Sequence, residues 1–80
     1  MNTDINIADI VVHLHPDTTA ECKGRIEEGL RAQDGVISVH FSEEDHPHAM
    51  VVAYNPEATD SETVLAEIRK CDKDAVMVSF

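Results

Sequence analysis

The feature that most limits how this chain can fold is the order of its patterned segments, which read strand, helix, strand, strand, helix, strand with short connections between them. Ile10-Val11-Val12-His13-Leu14-His15 is dense in β-branched residues and stops at Pro16, the mark of a strand ended by a breaker. Thr18 and Glu21 stand at capping-box spacing, with Asp17 as a rival cap. Cys22, Ile26, Gly29 and Leu30 then recur at helical spacing, and Gly35 is a good stop, so the pattern predicts a helix over residues 18–33. Val36-Ile37-Ser38-Val39-His40-Phe41 and Ala49-Met50-Val51-Val52-Ala53-Tyr54 flank a polar turn and read as a hairpin. Thr59-Asp60-Ser61-Glu62 offers caps for a second helix, in which Val64, Leu65, Ile68 and Cys71 share a face. Residues 74–80 supply a closing strand.

This order is the split βαβ pattern, and it predicts an α+β, ferredoxin-like βαββαβ sandwich. Right-handed crossovers put the first and third strands at the centre of a four-stranded antiparallel sheet, with both helices on one face. Eighty residues suit one domain, residues 1–80. The topology gathers three connections at one end: residues 15–18, 42–48 and 71–74.

Charge then excludes several partners. Sixteen acidic against six basic residues give a formal net charge of -10, which repels nucleic acid and anionic membrane surfaces. A cation or a basic protein partner fits such a surface. No apolar run approaches the roughly 20 residues of a membrane helix, so membrane insertion is not expected. The first residues lack a basic start and a long apolar stretch, so no secretory signal is read. Two cysteines are too few for a disulfide framework, and the expectation is reduced thiols in a cytoplasm.

Five histidines in so short a chain point to metal chemistry. His13 and His15 share a strand face, and His46 and His48 flank Pro47 in the hairpin. His15, His46, His48, Cys22 and Cys71 all fall at or near the end that gathers the connections. Imidazole and thiolate together suit copper, zinc or another borderline transition metal. The candidate ligands are Cys22, His15, His46 and His48, and Cys22 gains further from the backbone N–H groups of the first helical turn. Cys71 stays in phase with the apolar face of its helix, where a cysteine acts as a small hydrophobe. Lys73 reads as a solvated loop lysine. Neither a third orienting group beside Cys22 nor a phosphate-binding glycine loop is present, so enzymatic activity is not expected.

Cys22-x-x-x-Ile26-Glu27-x-x-Leu30, Gly35-Val36-x-x-Val39 and Ala53-Tyr54-Asn55-Pro56-Glu57, with Ile68 and Ala75, together resemble the heavy-metal-associated domain of copper chaperones, metal-transporting ATPases and mercury-binding proteins. The resemblance spans residues 10–78. It implies a metal-binding or metal-handling module that passes a transition metal ion to a protein partner. That family holds metal in a loop reading Gly-Met-x-Cys-x-x-Cys. Here the second cysteine position is Cys22, the first is Thr19, and the Gly-Met pair is absent. Where the family often has Gly-Tyr or a lysine, this chain has Asp72 and Lys73, and the resemblance gives Lys73 the task of offsetting thiolate charge. A weaker resemblance is to the small chaperones that bind the twin-arginine signal peptide of nitrate reductase. The competing function is therefore a non-metal protein-interaction module or maturation chaperone. The third strand is apolar on both faces, which leaves Val11, Ala49, Val51 and Ala53 on an open sheet face as a dimer or partner contact.

Overall fold

The computed structural model describes residues 7–42 and 48–79. Six elements follow the expected order: β1 (Ala8–His13), α1 (Ala20–Arg31), β2 (Val36–Phe41), β3 (Ala49–Tyr54), α2 (Ser61–Arg69) and β4 (Val76–Ser79). The sheet is antiparallel with strand order β2-β3-β1-β4, so β1 and β3 are central as the crossover rule requires. The fold class is the ferredoxin-like sandwich expected from the segment order.

Strand alternation places the core. Ile10, Val12 and Leu14 from β1 and the residue after it, and Met50, Val52 and Tyr54 from β3, are buried against Ile26 and Leu30 of α1 and Val64 and Ile68 of α2. Seven of these side chains, Val12, Ile26, Leu30, Met50, Val52, Val64 and Ile68, are essentially sealed from solvent. At about 25 cal/mol per Å² of apolar surface, this cluster is the main favourable term in so small a domain. The opposite face carries half-buried Val11, Val51 and Ala53, with Ala49 buried and His13 exposed. Single extra residues bulge out of the edge pairings, between Val36 and Ser38 in β2 and opposite Val11 and Val12 in β4. They leave Ile37 and Val78 exposed.

Several element ends differ from the sequence expectation. Strand β1 starts at Ala8 because Asp9 points to the open face and does not interrupt the inward row of Ala8, Ile10 and Val12. It ends at His13 because the N–H of His15 is taken by a side chain from another connection. The cap of α1 is Thr19, whose hydroxyl accepts from the Cys22 N–H at 3.1 Å, and neither Thr18 nor Asp17 serves. Asp60 caps α2 by accepting from the Thr63 N–H at 2.8 Å, and that bond holds its carboxyl below the usual carboxylate range. Helix α2 ends at Arg69, two residues short of Cys71.

Gly35 does not stop α1 but turns the chain into β2, at φ 99°. Its carbonyl accepts from the Asn55 N–H at 2.7 Å. A Cβ there would stand 2.9 Å from the Ala58 Cβ and 3.0 Å from the Thr59 Cγ2. Both the left-handed backbone and the contact oppose any side chain. Gly35→Ala is expected to cost about 2 kcal/mol. Urea unfolding should show a lower midpoint at unchanged slope, and an unchanged midpoint would mean that the turn relaxes freely.

Candidate metal centre

The end of the sandwich where β1 runs into α1 is tied to the connection between α2 and β4 by one carboxylate. Asp72 is only 6% exposed. Its Oδ2 accepts from the His15 N–H at 2.8 Å and from the Thr18 hydroxyl at 3.0 Å, and its Oδ1 accepts from the Asp74 N–H at 3.1 Å. Its own N–H donates to the Ile68 carbonyl at 3.0 Å, and its carbonyl receives the Ala75 N–H at 3.1 Å. A buried carboxylate is tolerable only when so fully partnered. Asp72 thus fixes the spacing between two chain segments more than fifty residues apart in sequence.

With those segments fixed, Cys22 and Cys71 meet. Their Cα atoms are 5.9 Å apart and their sulfurs form a disulfide. This corrects the expectation of two reduced thiols, and it corrects the reading of Cys71 as a buried hydrophobe on the α2 face. Cys71 lies beyond the helix and is exposed, while Cys22, in the first turn of α1, is half-buried and packs against the core. The pair forms one wall of a shallow cleft of about 330 Å³, completed by His15, Asp17, Thr18, Thr19, Asp72, Lys73 and Asp74. Three carboxylates against one lysine give the cleft a negative field that gathers cations. Lys73 also lines the cleft.

The expected ligands are placed as follows. His15 and Cys22 line the same cleft. The His15 Nδ1 accepts from the Asp17 N–H at 3.0 Å, and the Asp17 carboxylate is farther from that atom, at 3.8 Å. The Asp17 N–H therefore occupies the His15 Nδ1, and that nitrogen is not open to a metal while the bond lasts. The backbone of His48 lies beside that of Leu14, whose N–H it receives at 2.7 Å, and its side chain is exposed. His46 lies outside the described residues. Among the described residues no group of three or more His, Cys, Asp or Glu side chains is arranged to hold a metal ion. The structure joins two sulfurs where the sequence pointed to one sulfur and three imidazoles.

No family model matches the chain, and no curated protein matches it. Solved structures do match in fold. The yeast copper transporter domain Ccc2A, studied in apo and Cu(I)-loaded states, superposes with a TM-score of 0.69 at 22% identity, covering 88% of this chain and 93% of that one. A protein of Bacillus anthracis strain Ames, provisionally described as copper-ion-binding, superposes with a TM-score of 0.72 at 12% identity, covering 94% of this chain and 100% of that one. The chain is similar to both in backbone architecture over nearly its full length, and the fold of these copper domains is the fold it adopts.

Proposed function

We propose that this chain is a small metal-handling module that carries a transition metal ion at the end bearing Cys22 and delivers it to a protein partner. The observation that carries the reading is the position of Cys22, half-exposed in the first turn of α1 on a cleft rimmed by carboxylates, within a fold shared with two proteins described by their copper. Backbone N–H groups at a helix start favour a thiolate there, and the surrounding carboxylates favour the cation that the thiolate would hold. The metal is cargo, so nothing in the core depends on it. His15, His46 and His48 are the imidazoles that would add to the sulfur. Soft sulfur donors point to copper over zinc, which asks for four ligands. A reducing cytoplasm would keep the cysteines as thiols and so is the compartment that suits this task.

Titrating copper(I) and zinc(II) into the reduced, isotope-labelled protein tests the reading. Copper(I) should move the Cys22, His15 and His48 resonances at one equivalent, and zinc should move them only at higher concentration. A spectrum unmoved by either ion would turn the function to the non-metal alternative, a protein-interaction module with a lost metal motif.

A further inference from the structure

The geometry points to a metal site built from Cys22 and Cys71, one sulfur from the first turn of α1 and the other from the connection between α2 and β4. This rests on the metal-handling reading above and names its donor pair. A sulfur at position 19 would stand at the N-cap of the same helix as Cys22, whereas here the second sulfur comes from across the cleft. Three observations support the pairing. The Cα atoms stand 5.9 Å apart, within reach of two side chains that share one ion. Asp72, next to Cys71 in sequence, accepts from His15 and Thr18 on the Cys22 side, so the spacing belongs to the scaffold and does not depend on the sulfur bond itself. Thr19, the residue at the position where a partner sulfur is missing, lines a crevice together with both cysteines, so the two possible second donors converge on one place.

The disulfide is the oxidised, closed form of this site. A thiol or phosphine reductant breaks the S–S bond, and two electrons and two protons convert the sulfurs to two thiols. Copper(I) then binds between them, both thiol protons pass to solvent, and the ion is left with two thiolates and a net charge of -1. Lys73 is the one lysine on the cleft wall, against three carboxylates. Oxidised and metal-loaded forms use the same two sulfurs, so each excludes the other.

The test is competition for copper(I) against a chromophoric bicinchoninate chelator, on the phosphine-reduced 80-residue chain handled without oxygen. Wild type should take one copper per chain when reduced and none when oxidised. Cys71→Ser should lose affinity about 100-fold or more, because the second donor acts at the high effective concentration of a chelate. Cys22→Ser should lose a similar factor. X-ray absorption at the copper edge should count two sulfur neighbours in wild type and one in Cys71→Ser. Adding Thr19→Cys to Cys71→Ser should recover most of the binding, which would also show that the serine variant folds. Wild-type affinity in Cys71→Ser, or a single sulfur neighbour in wild type, would overturn the pairing and leave metal handling in place. Reduced wild type that takes no copper at all would overturn the metal-handling reading and the pairing with it.

Discussion

Reduction of the Cys22–Cys71 bond is expected to lower the melting temperature by about 20 °C. The two residues are 49 apart in sequence, and in the chain-entropy account a closed loop of that length stabilises by about 4 kcal/mol. For a domain of this size, roughly 5 °C accompanies each kcal/mol. Total stability of small domains runs to roughly 0.05–0.15 kcal/mol per residue, so this one bond is a large fraction of the whole. Thermal scans with and without a phosphine reductant read the difference directly. The double variant Cys22→Ser/Cys71→Ser should melt where the reduced protein melts and ignore the reductant. Melting curves that coincide within a few degrees would mean that the unfolded chain gains little freedom when the bond opens. The reduced form, the one able to load metal under the reading above, is then the less stable form. An ion held by both sulfurs closes the same loop and should return much of the loss.

Asp72→Ala is expected to cost about 3 kcal/mol. The substitution strands the His15 and Asp74 N–H groups and the Thr18 hydroxyl around a buried site, and hydrogen bonds to a charged acceptor are worth roughly 1.5–3 kcal/mol, more when the partner is left dry. Thr18→Val removes a single one of these bonds and should cost about 1 kcal/mol. Urea unfolding of the oxidised proteins separates the two. A second readout tests the role of Asp72 as a spacer: in a glutathione redox buffer, Asp72→Ala should shift the cysteines toward the reduced form, since the two segments are no longer held together. An alanine variant as stable as wild type would show that water replaces the carboxylate at little cost.

Most of the framework was legible because each strand or helix announces itself locally. The inward row of Ile10, Val12 and Leu14 and the two-sided apolar run of β3 can each be read within six residues, and the crossover rule then sets the strand order. The metal end was legible only in outline. The topology correctly gathers His15, Cys22 and Cys71 at one end, yet Cys71 keeps the helical phase of Val64 and Ile68, and neither glycine nor proline in Lys70-Cys71-Asp72-Lys73 signals that α2 has stopped. A helix run on to Cys71 hides the sulfur from its partner. Asp72 is harder still, being one of sixteen acidic residues. Its burial follows from a meeting of two distant connections, which no local pattern records. The sequence offers Thr18 and Asp17 as caps of α1, but the Thr19 hydroxyl takes that role, and the outcome frees Thr18 to reach Asp72.

The disulfide also decides how the domain responds to tension. Strands β1 and β4 are antiparallel neighbours, so Ala8 and Ser79 lie toward the same end of the sheet. A load drawn between those two residues peels the strands apart one hydrogen bond at a time, the weak direction of a sheet, instead of shearing all the bonds together. Peeling proceeds into both flanks until the slack outside the crosslink is spent, and then the force reaches the sulfur bridge. The 49-residue span between Cys22 and Cys71, about 170 Å of extended chain, stays out of the load path while the bridge is intact. Reduction adds that length to the tether, so the redox state of one residue pair sets how far the protein can be stretched.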